Sequence, residues 1–192
     1  MSQNWDAEAA TFDDEPDHGL RDATTRAAWR SLLLGHLPPA PVRVAYLGCG
    51  TGTLSVLLAE DGYAVDGIDL SAAMVELAIA KAGNRTDVSF AVADAAAPPL
   101  ADGRYDAVLC RHVLWALSDP GAALGRWTDL LLPTGRLLLI EGAWHTGSGL
   151  MREETVGLVR RTGRQAVVHP LDDPVLWGGD TGDERYLVVS AA

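Results

Sequence analysis

Short apolar runs alternate with helix-patterned segments from Val42 almost to the end of the chain. Val42 to Leu47, Ala64 to Leu70, Val88 to Ala93, Tyr105 to Cys110 and Arg136 to Glu141 have strand length and strand composition, and "QAVVH" and "RYLVVS" add two later runs. The intervening segments carry apolar residues at helical spacing. They predict helices over Leu20 to Leu37 (halted by Pro38-Pro39), Thr53 to Glu60, Gly121 to Leu132 (stopped by Pro133-Thr134-Gly135) and Met151 to Arg161. Ser71 is placed to cap a further helix that runs through Lys81 and ends near Gly83-Asn84. Ala95 to Gly103 reads as a Pro-rich loop, and the polar, acidic first twenty residues as a lid or a loosely ordered arm.

Strands alternating with helices predict an α/β fold, an open and mostly parallel sheet with helices on both faces. Such sheets bind ligands beyond the carboxyl ends of their strands. The informative positions are therefore Gly48 to Gly52, Asp69, Asp94, Cys110 to His112 and Glu141 to His145. We divide the chain into an arm and helix over residues 1–37 and a ligand-binding domain over residues 38–192.

Charge narrows the partners. Asp and Glu outnumber Lys and Arg by 26 to 15, for a net charge of -11, and no Lys/Arg cluster interrupts that balance. Nucleic acid and membrane surfaces are not expected to bind. Two cysteines, Cys49 and Cys110, are too few for a disulfide scaffold and lack metal-ligand spacing, so no metal is expected. The acidic N-terminus carries no apolar signal segment and no run reaches the roughly 18 residues of a membrane span, so a cytoplasmic location is expected. Oligomeric state stays open, between a monomer and a homodimer.

The stretch "AYLGCGTGTL" decides among nucleosides. Gly48, Gly50 and Gly52 follow a strand and precede a helix, where the backbone can turn sharply and a ligand can approach the helix N–H groups. A dinucleotide fingerprint requires Gly-x-Gly-x-x-Gly. Thr53 or Ser55 stands where its last glycine belongs, which disfavours a nicotinamide-dependent oxidoreductase. Asp69, at the tip of "YAVDGID", is the type of residue that accepts ribose hydroxyls in either kind of site.

"AYLGCGTG", "GIDLS", "VADAAAPP" and "YDAVLCRH" together resemble the motifs of class I S-adenosylmethionine (SAM) dependent methyltransferases. The resemblance spans about Val42 to Glu141. It implies a Rossmann-like doubly wound sheet of seven strands, with the last strand antiparallel. It also implies SAM as cofactor and S-adenosylhomocysteine as product. Gly48, Cys49, Gly50 and Gly52 would pass beneath the methionine and ribose portions, and Asp69 would bind the ribose. Leu70 and Met74 would flank the adenine, and Asp94 and Ala95 would take its amino group and ring. Cys110 and Arg111 would face the methionine end. Leu70 and Met74 equally suit core positions, and Asp94 equally suits an ordinary turn.

Methyl transfer is a displacement that needs alignment and exclusion of water, with a base only if the acceptor is protonated. His112 is the candidate catalytic base, against packing beside the cofactor. Trp115, Trp144 and His145 are candidate acceptor-binding residues, as are Trp5, Phe12 and His18 of the arm. Glu141 suits either an amine ligand or a cap. The chain lacks the Asn/Asp-Pro-Pro-Tyr and Pro-Cys motifs of DNA-methylating relatives. The expected reaction is methylation of a small organic acceptor at O, N or C. A SAM-binding module without catalysis is the alternative within the fold.

Overall fold

The computed structural model describes residues 5–191. Seven strands form one sheet in the order β3-β2-β1-β4-β5-β7-β6. They are β1 Arg43–Leu47, β2 Ala64–Asp69, β3 Val88–Val92, β4 Tyr105–Arg111, β5 Leu131–Ala143, β6 Val167–Pro170 and β7 Glu184–Ser190. Strands β1 to β5 pair in parallel, and β7 runs antiparallel to both β5 and β6. The expected sheet, including its reversed last strand, is the one observed.

The helices are α1 Trp5–Glu8, α2 Pro16–Gly19, α3 Ala23–His36, α4 Thr53–Glu60, α5 Ala72–Ala82, α6 Pro120–Asp129 and α7 Arg152–Arg161. Alternation along β1 shows how the sheet is covered. Val44 and Tyr46 join the layer containing Trp29 and Leu33 of α3 and Leu57 of α4, whereas Ala45 and Leu47 face Leu124 and Trp127 of α6. Burial of these two apolar layers is the main source of stability.

Three sequence expectations need correction. Helix α3 begins at Ala23 because Asp22 caps it, accepting from the amides of Thr24 and Thr25; Leu20 instead ends α2 in a left-handed conformation. Helix α6 stops at Asp129, before the Pro133-Thr134-Gly135 stretch. That stretch lies within β5, where pairing to β4 jumps from Tyr105–Leu131 to Ala107–Arg136. Proline and glycine, tolerated at bulges, occupy the irregularity. From residue 5 on, the arm is ordered: α1, a 3₁₀ turn at Phe12–Asp14 and α2 lie against the parallel strand ends. Its contacts are long-range, so local sequence pattern does not announce them.

Candidate functional site

The ends of β1 and β2 build the first half of the site. The amides of Gly48 and Cys49 both donate to the carbonyl of Ile68, at 2.8 and 2.9 Å, stitching the glycine loop to the last turn of the ladder. Asp69 Oδ2 then accepts from the Gly50 amide at 2.8 Å, and Oδ1 accepts from the Ser71 amide at 2.9 Å. One carboxylate thus ties the loop to the start of α5, where Ser71 caps the helix through the Met74 amide. Burial raises the pKa of Asp69 from its ordinary value, partly countered by these amide bonds.

Gly50 and Gly52 take positive φ angles of 54° and 76°. A Cβ at Gly52 would stand 2.8 Å from Ala78 Cβ and 2.9 Å from Phe90 Cζ, so the loop can lie this low only as glycine. Phe12 of the arm covers Gly50, 3.2 Å from where a Cβ would be. Lys81 of α5 latches the arm in place: Nζ lies 2.7 Å from Asp13 Oδ2 and also donates to Thr51 and Thr53. Asp6 of α1 accepts from the Ser71 hydroxyl.

The β4, β5 and β7 ends build the second half. Arg111, whose side chain is 7% exposed, donates to the carbonyl and carboxylate of Asp17. Its guanidinium lies 4.4 Å from the ring centre of Trp29 and 6.0 Å from that of Trp177. Arg185 of β7 stacks 4.4 Å from Trp177 on the same side chain system and 5.8 Å from Trp144. His112 has φ of 56°, rare for a residue with a side chain, and its ring sits 5.1 Å from Trp144 and 6.0 Å from Trp177. Trp115 donates to the His112 carbonyl at 2.9 Å and lies 5.4 Å from Trp144.

His112 Nε2 is enclosed and has no hydrogen-bond partner. Burial, then the positive charges of Arg111 and Arg185, hold its pKa well below the usual imidazole value. The enclosed ring therefore disfavours the charged form. His18 stacks on Phe12 at 4.1 Å, and burial with Arg111 nearby brings its pKa down to about 4.

Glu141 lies on the opposite face of the sheet, fully buried. Its Oε1 accepts from the amides of Val113 and Leu114 at 3.2 and 2.8 Å, while Oε2 has no partner. Burial pushes its pKa up to about 8. Of the two roles considered for it, the structure shows the cap.

The expected residues thus separate into groups. Gly48, Gly50, Gly52 and Asp69 form one unit covered by Phe12. Arg111, His112, Trp115, Trp144 and His18 gather at the β4 and β5 ends. Leu70 is 66% exposed beside the loop, whereas Met74 and Cys49 are buried. Cys110 is also buried, its sulfur 4.0 Å from Glu141 Oε1. Asp94 is exposed and closes its own turn on the Ala96 amide, and the Ala95 carbonyl accepts from Trp127. Trp5 is half-buried on α1. His145 is 81% exposed at its side chain and pairs with Asp183.

Trp29, Trp177 and Arg185 complete the second half without having been expected. Trp29 reads as core because it sits at helical spacing in α3. Trp177 stands in the polar loop "DDPVLWGGD", and an aromatic flanked by glycines and acids was the available signal.

A methyltransferase-domain family model matches residues 45–139. The demethylmenaquinone methyltransferase of Thermus thermophilus is 39% identical over 108 residues, covering 55% of this chain and 49% of that protein. The ubiquinone biosynthesis O-methyltransferase of Xanthomonas axonopodis is 33% identical over 139 residues, 70% of this chain and 54% of its own length. The chain spans about half the length of the first curated relatives it matches. Among solved structures, the Burkholderia thailandensis 1,6-didemethyltoxoflavin-N1-methyltransferase superposes with a TM-score of 0.69 at 21% identity, covering 97% of this chain and 86% of that one. That structure holds 1,6-didemethyltoxoflavin and S-adenosylhomocysteine. Among the described residues no helix is long and apolar enough to cross a membrane. The matched span runs from within β1, through the glycine loop and β4, into β5, and the chain belongs to the class I SAM-dependent methyltransferase family.

Proposed function

We propose that this chain transfers a methyl group from SAM to O, N or C of a small organic acceptor. The observation that carries the reading is Asp69, a buried carboxylate at the β2 end bonded to the glycine loop. Each of its oxygens is engaged by one amide and keeps acceptor capacity toward a ribose hydroxyl. The residues fit the cofactor: Gly48, Gly50 and Gly52 would lie beneath its methionine and ribose, exposed Leu70 would cover one side of adenine, and Asp94 keeps a carboxylate oxygen free of its turn.

SAM supplies an electrophilic methyl group on a sulfonium. The chain's own part is alignment and exclusion of water. Phe12 and His18 close the site, Trp115 and Trp144 wall the acceptor, and neutral His112 removes the acceptor's proton where it has one. Arg111 holds the arm down through Asp17. The buried, free Cys49 and Cys110 suit a reducing cytoplasm.

Calorimetric titration with S-adenosylhomocysteine and with NAD(H) tests the reading. Binding of the first alone is expected; binding of NAD(H) alone overturns it. A metabolite screen with SAM, read by mass, then separates an enzyme from a binding module, which would bind SAM and methylate nothing.

A further inference from the structure

Three nitrogen-bearing side chains converge on one indole. The guanidinium carbons of Arg185 and Arg111 lie 4.4 and 6.0 Å from the centre of Trp177, and the His112 ring lies 6.0 Å from it. All three hold a buried nitrogen without a partner: Arg111 Nε, Arg185 Nε and His112 Nε2. Native proteins rarely leave buried polar atoms unpaired, least of all those of charged groups. Hydrophobic and aromatic side chains enclose them: Trp29 and Trp177 meet edge to face at 5.3 Å, and Trp144 lies 5.8 Å from the Arg185 guanidinium.

In a chain of net charge -11, a buried and a half-buried arginine at one aromatic box are a local exception. Arg185 reaches only Asp183, and only at 3.3 Å. Arg111 is held by the arm, through the carbonyl and carboxylate of Asp17. An arm that has to part to admit an acceptor takes this carboxylate away. The guanidinium, still flanked by Trp29 and Trp177, is then free to pair with another anion.

We propose that the methyl acceptor is a flat aromatic acid, whose carboxylate is received by Arg111 and Arg185 against Trp177 in place of the carboxylate of Asp17. Planar guanidinium forks match a carboxylate, and the indoles match a ring. The proposal rests on reading the site as that of a methyltransferase. It adds what that reading lacks, the charge and shape of the acceptor.

The test titrates the protein, saturated with S-adenosylhomocysteine, with salicylate and anthranilate and with their neutral amides, by calorimetry and tryptophan fluorescence. The acids should bind about tenfold tighter than the amides or better, as expected for charge-assisted hydrogen bonds. Arg185→Gln should abolish that preference and Arg185→Lys should keep part of it, each binding S-adenosylhomocysteine as before. Asp17→Asn should raise affinity for the acids, because the arm no longer competes for Arg111. Equal affinity for acids and amides in a protein that binds S-adenosylhomocysteine overturns the proposal, as does an undiminished preference in folded Arg185→Gln. Failure to bind S-adenosylhomocysteine instead overturns the methyltransferase reading.

Discussion

Replacing Glu141 by Gln removes a carboxyl whose pKa is raised by burial to about 8, against an ordinary 4.5. Oε1 of Glu141 serves two amides, and an amide oxygen serves them equally well. The variant therefore keeps the turn at Leu114–Ala116 and loses only the titration. The sign follows from linkage. A group whose folded pKa lies above its unfolded value contributes stability that is complete below about pH 4.5 and is lost as pH rises through about 8. One proton is worth about 1.4 kcal/mol per pH unit, so the interval from about pH 5 to about pH 8 carries roughly 4 kcal/mol at most. Urea unfolding of both proteins across this interval measures it. The difference between them matters, because every other titrating group cancels. Glu141→Gln should become progressively more stable than the parent as pH rises, and Glu141→Leu should be destabilised throughout by two stranded amides, at about 1–3 kcal/mol each. Parallel stability curves for parent and Gln variant would show that the carboxyl is ionised at neutrality and refute the reasoning.

Asp69→Ala should weaken S-adenosylhomocysteine binding by about 1.5–3 kcal/mol in calorimetry, the range for hydrogen bonds to a charged group; unchanged affinity removes Asp69 from the site. His112→Ala should lower kcat while leaving S-adenosylhomocysteine affinity within about twofold, as expected of a base acting on the acceptor; a parental rate at every pH makes His112 a packing residue. The pKa values of His18, His36 and His112 are lowered, chiefly by burial, so each contributes stability present above the ordinary imidazole value and lost as pH falls below it. Thermal unfolding should therefore show Tm falling below about pH 6.5, and a His18→Gln/His36→Gln double variant should flatten that fall.

The sheet was legible because its signals are local. Thr53–Glu60 follows a glycine turn and carries its own apolar face, and Ser71 caps α5 through an amide three residues away. The half proposed to hold the cofactor was legible as a cluster for the same reason, since Gly50 and Asp69 sit at the ends of adjacent parallel strands. The half proposed to receive the acceptor was legible only in part. Its key contacts join Arg111 to Asp17, Trp29 to the Leu176 carbonyl and Arg185 to Trp177, pairs that no sequence period relates. His145 shows the opposite case: it follows β5 closely in sequence, yet the chain has already turned outward there to Asp183. The Pro133-Thr134-Gly135 stretch looked like a helix stop and proved to be a strand irregularity, because pairing with β4 outweighs local turn preference.

Lys81 is the only lysine in the chain. The side chain that holds Asp13 and the glycine-loop threonines is therefore also the molecule's one ε-amine. Amine-reactive reagents will find little else besides the α-amino group, and they will find Lys81 fastest when the arm is away. The latch doubles as a built-in reporter: the rate at which one amine is modified, with and without S-adenosylhomocysteine, counts how often the door stands open.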